Sequence, residues 1–285
     1  MKICYVLTGG SLRGIVAQTA ALQVLEHEYG VKIEDIVGVV GTSAGSLTGA
    51  FYASCVEPST MAELFATMKK SDYIDPSWLR ILGSVLLYGR GLTGLLEGKR
   101  LYAWLKRNLP VPNIENTCLP LAINVTNVSK QIPEILTKGD LAAAVRASTA
   151  IPFVFKPQKI GDSYYVDGGA VNNIPLDEAA KMFPEADAYI IITTFGIKNT
   201  EDPADNSWIR KPLAPLFLLS RTLHAISREL YKDNLNAAGK KVAILSIDPG
   251  PIDLQQIEKF TEAYQVGLAD ARRKVPKVLQ EIGYK

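Results

Sequence analysis

The chain has 285 residues, 47% of them hydrophobic, with 31 Lys+Arg against 29 Asp+Glu, three Cys and two His. The apolar fraction excludes a disordered chain, and the length is enough for one to two domains of about 150 residues with a large core. A net charge of +2, with no basic run of five or more residues, argues against a nucleic-acid-binding surface.

In chain order, Ile3-Cys4-Tyr5-Val6-Leu7 predicts a buried strand running into Thr8-Gly9-Gly10. The run is too short for a signal-peptide h-region and has no cleavage site, so no signal peptide is expected. Ile15, Ala17, Leu22 and Leu25 then follow helical spacing, with Gly30 as the expected stop. A second strand is expected over residues 36–40, followed by a tight turn and a helix. Residues 72–100, with Gly83, Gly89, Gly91, Gly94 and Gly98 among leucines, read equally as a mobile cap or as an irregular helix and loop on the sheet. Further strands are expected at 119–125, 188–193 and 242–247, with surface loops near 110–116 and 199–206. This alternation predicts an α/β fold, three layers α/β/α around a largely parallel central sheet, in a single domain spanning 1–285. Apolar stretches around 79–96 and 213–226 are interrupted by Arg80, Arg90, Pro215 and Arg221, so no transmembrane helix is expected.

Cys4, Cys55 and Cys118 are odd in number, widely spaced and without a C-x-x-C, which fits neither a disulfide framework nor a zinc site. His27 and His224 lie far apart with no H-E-x-x-H, so no metal is expected.

Chemistry concentrates in three places. Gly41-Thr42-Ser43-Ala44-Gly45 stands between a strand and a helix, the context in which Gly41 and Gly45 let a sharp turn project a serine hydroxyl at a helix N-terminus. Thr8-Gly9-Gly10-Ser11-Leu12-Arg13-Gly14 also joins a strand to a helix. It lacks the Lys-Ser/Thr of a P-loop, and Ser11 breaks the dinucleotide fingerprint, so its amides are better suited to an oxyanion hole. Asp167-Gly168-Gly169 ends a β-run and offers a carboxylate, although an Asp-Gly-Gly turn is also ordinary hairpin chemistry. A serine nucleophile needs a base. His27, flanked by Glu26 and Glu28, reads as a solvated surface residue, whereas His224 would complete a Ser, Asp, His chain order.

Taken in order, Gly9-Gly10-Ser11-Leu12-Arg13-Gly14, Gly41-Thr42-Ser43-Ala44-Gly45 and Asp167-Gly168-Gly169 resemble the patatin-like phospholipase family. Arg146-Ala147-Ser148-Thr149-Ala150-Ile151-Pro152-Phe153 resembles the family's A-S-x-A-x-P-x-F segment and Asn172-Asn173-Ile174-Pro175 its N-x-P, so the likeness spans about residues 3–177. Residues 178–285 are expected to complete the sheet and outer helices. The resemblance implies a patatin-like fold and a Ser-Asp dyad, with Ser43 as nucleophile and Asp167 as base. It also implies an oxyanion hole at Gly9, Gly10, Ser11 and Gly14, with Arg13 adding positive potential. One departure stands out: Ser11 occupies the place of the usual third glycine, which demands a permitted backbone angle and can crowd the acyl group.

The implied activity is hydrolysis of lipid acyl esters, of the phospholipase A, lysophospholipase or galactolipase kind, through an acyl-enzyme and without a cofactor. No D-x-D-x-D-G calcium loop is present. The expected partner is a lipid or acyl ester, in the cytoplasm. Residues 82–96 are a candidate lid over an acyl cleft. Leu216, Leu219, Leu223, Ile226 and Leu230 repeat at helical spacing beside Arg210, Lys211, Arg221 and Arg228, which suits peripheral membrane contact or, more simply, a core-packed helix. Two alternatives stay open, a Ser-His-Asp esterase using His224 and a non-catalytic lipid-binding homologue. The oligomeric state is not readable.

Overall fold

In the computed structural model, which describes residues 1–76, 93–194, 222 and 239–284, strands with runs of apolar residues stack side by side because both their faces are covered. Strand β1 (Ile3–Leu7) is buried at every position. Its side chains alternate between two apolar clusters, Ile3, Tyr5 and Leu7 on one face and Cys4 and Val6 on the other. The period-2 geometry of a strand thus divides one pentapeptide between the two outer layers.

Strand β2 (Ile36–Thr42) pairs with β1 in parallel, as does β9 (Ala188–Thr193), which also pairs in parallel with β10 (Lys241–Ser246). Beyond β2 lies β4 (Leu121–Asn127), again parallel. Strands β5 (Ile132–Leu136), β7 (Gln158–Ile160) and β8 (Ser163–Asp167) add antiparallel pairings, giving an eight-stranded, mostly parallel sheet in the order β10-β9-β1-β2-β4-β8-β7, with β5 also on β4. A separate ribbon pairs β3 (Gly94–Leu96) with β6 (Phe153–Phe155).

Seven α-helices lie among the described residues. On the Tyr5 face pack α1 (Ser11–Gln23), α2 (Ala44–Ala53), α3 (Pro58–Thr67), α4 (Lys99–Asn108), α5 (Leu141–Ser148) and α7 (Phe260–Ile282). The Cys4 face is covered by the shorter α6 (Leu176–Met182) and Phe183. The architecture is the expected three-layer α/β/α fold. The strand expected at 188–193 has those bounds, whereas that expected at 119–125 begins and ends two residues later and β2 runs on to Thr42. Gly30 takes a left-handed φ of 67° at the stop, but α1 reaches it through a π-helical turn, Val24–Glu28. The candidate lid lies outside the described residues up to 92; its last residues form β3.

Arg146, in α5, is 1% exposed, with Asp75 and Glu97 near enough to favour its charge. Its Nε donates to the Gly98 carbonyl at 3.1 Å and its Nη2 to those of Glu97 (3.1 Å) and Lys156 (2.9 Å), while the guanidinium stacks on Phe155 at 4.9 Å. Burial pushes its pKa down to about 10. One cation therefore ties the ends of β3 and β6 to α5, and Gly98, at φ 72°, leaves the space it fills. Arg146→Met preserves apolar bulk but removes the Arg146 donors to three carbonyls, of which that of Gly98 keeps the Tyr102 N–H, so urea unfolding should register a loss of about 3 kcal/mol.

Candidate active site

The register of β4 brings two of the three motifs together. Asn124 pairs with Ile135 of β5 and with Thr42 of β2, and the next residue, Val125, pairs with Glu134 of β5 and with Asp167 of β8. A strand has two hydrogen-bonding edges, and β5 occupies one of them past both residues. Strands β2 and β8 therefore share the other edge, the last residue of β2 facing Asn124 and the last residue of β8 facing Val125. Thr42 and Asp167 end side by side, and the residue after Thr42 is Ser43.

Ser43 turns the chain from β2 into α2 at φ 52° and ψ −117°, a region that costs a non-glycine residue about 1–3 kcal/mol. Close approach permits the turn. A β-carbon on Gly45 would collide with the Leu7 carbonyl, and one on Gly41 with the backbone of Gly45. The turn is also held from outside: the Ser43 N–H donates to Ser148 Oγ at 2.9 Å, and that hydroxyl donates to the Asn124 carbonyl at 2.7 Å. Asn124 Nδ2 in turn bonds Thr42 Oγ1 (3.0 Å) and the Asn172 carbonyl (2.6 Å).

Asp167 is 5% exposed. Its backbone is fixed by donation from its N–H to the Ala150 carbonyl (3.0 Å) and by the Thr126 hydroxyl on its own carbonyl (3.1 Å). Its carboxylate accepts from the Gly169 N–H at 2.8 Å, and the Ser43 side chain lies close enough to lower its proton affinity. Burial pushes its pKa up from 3.8 to about 6, against the opposing pull of Ser43 and Gly169.

The Gly9 to Gly14 loop opens α1 beside this pair. A β-carbon on Gly9 would sit 3.2 Å from Ser43 Cβ, and one on Gly14 would press on Ala44. The N-termini of α1 and α2 thus meet at Ser43, with their partial positive charge converging there. The loop amides divide. The Gly9 N–H is committed to Asn173 Oδ1 at 3.0 Å and the Gly14 N–H to the Gly10 carbonyl at 2.9 Å. The N–H groups of Gly10 and Ser11 have no acceptor among the described residues, as expected at the start of a helix. Ser11 takes φ 54°, the left-handed conformation that glycine adopts most readily. Arg13 turns toward Asp248, with Nη2 to Oδ1 at 2.9 Å on a part-exposed pair.

His27 is exposed and bonds Glu57 at 3.1 Å, beyond the C-terminal end of α1. At 1.5 Å per residue, the length of α1 separates it from the Ser43 end by about 20 Å. It forms with Glu26 and Glu57 the one group of three potential metal ligands among the described residues, their ligand atoms within 4.8 Å of one another. His224 lies outside the described residues, as does the basic helical stretch near 210–230 apart from Thr222. No described helix is long and apolar enough to cross a membrane.

The family model described as patatin-like phospholipase matches residues 5–180, more than half of the chain and all three motifs. The chain belongs to this family. A lysophospholipase NTE1 from Debaryomyces hansenii is 26% identical over 287 residues, covering 93% of this chain but 17% of that protein. A lysophospholipase nte1 from Aspergillus oryzae is 28% identical over 293 residues, covering 97% and 18%. This chain thus spans under a fifth of those relatives. A probable lipid hydrolase 463L from Invertebrate iridescent virus 6 is 26% identical over 211 residues, covering 66% of this chain and 69% of that protein. Among solved structures, VipD from Legionella pneumophila matches with a TM-score of 0.51 at 15% identity, covering 98% of this chain and 66% of that one, a likeness of fold.

Motif reading pointed to Ser148 and Asn173 without assigning them contacts, and it missed Asn124 and Thr126, which sit in a strand with no signal beyond their polarity. Ser148→Ala leaves the buried Ser43 N–H without its acceptor. The variant should lose about 1–3 kcal/mol of stability in urea unfolding, with kcat on a chromogenic ester falling about tenfold or more as the turn loosens.

Proposed function

We propose that this chain hydrolyses carboxylic esters of lipids, with Ser43 as nucleophile and Asp167 as its general base. The observation that carries this reading is the contact between the Ser43 side chain and a buried carboxylate whose proton affinity is raised to about 6. Ordinary aspartate, near 3.9, is a poor base at neutral pH. Water exclusion moves Asp167 toward the range a proton acceptor needs while leaving it ionised at pH 7.

In this mechanism Ser43 Oγ attacks the ester carbonyl carbon as its proton passes to Asp167. The oxyanion of the tetrahedral intermediate is received by the unoccupied amides of Gly10 and Ser11, at the two converging helix N-termini. Collapse expels the alcohol portion of the lipid, which takes the proton from Asp167 and leaves Ser43 acylated. Water then attacks the acyl-serine, giving its proton to Asp167, and Ser43 regains that proton as the fatty acid departs. Gly9 and Gly14 serve this site by close packing, since their amides are engaged elsewhere. Arg13 contributes through its Asp248 pair at the loop's rim.

The substrate class follows from the family and from relatives called lysophospholipases: a single-chain or two-chain phospholipid, met at a membrane surface by one catalytic domain of 285 residues. A serine-directed fluorophosphonate should label the wild-type chain and leave Ser43→Ala unlabelled. A folded wild-type protein that takes no label would end the hydrolase reading and favour a lipid-binding role. His224→Gln should keep kcat within about tenfold, whereas a loss beyond about a hundredfold would favour a histidine base.

Ionisation gives a second test. Activity requires the carboxylate, so kcat/KM should rise with pH through about 6 and then level off. Stability moves the opposite way. The folded chain holds this proton up to about pH 6 and the unfolded chain only to about 3.9, so stability falls as pH rises between them. Asp167→Asn should therefore abolish turnover while raising stability at pH 8 by about 1–3 kcal/mol, read by urea unfolding.

A further inference from the structure

Helix α2, which begins at the Ser43 turn, ends in a pair of bonds: Cys55 N–H to the Tyr52 carbonyl at 2.9 Å and Val56 N–H to the Phe51 carbonyl at 3.2 Å. This closure puts the residue after the cap in the left-handed region, where glycine is the usual occupant. Here it is Cys55, at φ 61°. Its side chain is exposed, so core packing does not account for it.

A second strand entry lies against this turn. The Leu119 N–H donates to the Ala53 carbonyl at 3.0 Å, tying the segment ahead of β4 to the last turn of α2 and bringing Cys118 to Cys55. The two thiols lie close enough for Cys118 to raise the proton affinity of Cys55, and Cys118 is exposed as well. Cys4, by contrast, is buried within the sheet. Two accessible thiols from distant parts of the sequence thus meet where no metal-ligand spacing or family motif calls for them.

We propose that Cys55 and Cys118 form a reversible disulfide, a redox-modification site linking the end of the nucleophile helix to the entry of β4. The oxidant is a low-molecular-weight disulfide. One cysteine thiolate attacks it, breaking its S–S bond and releasing one small thiol, which carries off the first cysteine's proton. The second cysteine, as thiolate, then attacks the mixed disulfide and releases the second small thiol. Two protein thiols are oxidised to one disulfide, and the small disulfide is reduced to two thiols. Burial, the Cys118 contact and Glu26 push the Cys55 thiol up to about 11, which slows its own attack as a thiolate.

The test uses the folded chain with oxidised glutathione, followed by maleimide blocking and peptide mapping without reductant. Residues 33–69 should be found cross-linked to residues 108–130, the intact mass lower by about 2 Da, the bond reversed by dithiothreitol, and Tm higher by about 5 °C in the oxidised form. Unlabelled Cys4 marks the chain as folded. Cys55→Ser and Cys118→Ser should each trap the remaining thiol as a glutathione adduct. A wild-type chain that carries separate glutathione adducts at both positions, or that keeps both thiols free, overturns the proposal.

Discussion

Much of this molecule depends on one edge of β4. Two strands of opposite direction end against it, β2 at Asn124 and β8 at Val125, because β5 already occupies the other edge. That crowding forces the residue after β2 to turn away and the last residue of β8 to stop beside it. A serine in a strained turn and a carboxylate in a water-poor position are the direct result. Asn124 stabilises the junction by bonding Thr42 and the Asn172 carbonyl through its side chain, and by receiving Ser148 at its own carbonyl.

The strain at Ser43 and the burial of Asp167 both weigh against stability, and the surrounding packing offsets them. Ser43 is held at positive φ by the Ser148 bond and by glycines that admit neighbouring backbone. Asp167 keeps its position through backbone bonds to Ala150 and Thr126 rather than through an ion pair. An arginine or lysine beside it would restore stability but lower its proton affinity, which is the property a base for serine requires. Among the described residues none lies there; Arg13 is turned to Asp248 and Arg146 to the carbonyls of the β3 and β6 ribbon.

The loop after β1 illustrates how equivalent amides come to differ. All lie within six residues, yet Gly9 is taken by Asn173 and Gly14 by the first helical bond, leaving Gly10 and Ser11 open. Asn173 and Asp167 flank the same glycine pair, so the segment that delivers the carboxylate also fixes the first glycine of the loop. Ser11 tolerates left-handed backbone here in place of glycine, so the departure from the family pattern is absorbed as local strain.

The sequence by itself determined the layers and the motifs. Apolar runs bounded by glycine announce β1, β2 and β9 because a strand covered on both faces has no polar face to show. The G-x-S-x-G turn and the Asp-Gly-Gly turn are legible because close backbone approach demands glycine at those spacings. The antiparallel β5, β7 and β8 were harder to read as strands of this sheet, since their partly exposed residues mix polar and apolar types without a long run. Only the tertiary structure decided which distant residues touch: that Ser43 faces Asp167, that Ser148 and Asn124 hold the turn, that Gly9 spends its amide on Asn173, and that Cys55 meets Cys118. Local patterns encode the conformation of a segment, whereas these contacts arise from strand register, which is set by the packing of the whole sheet.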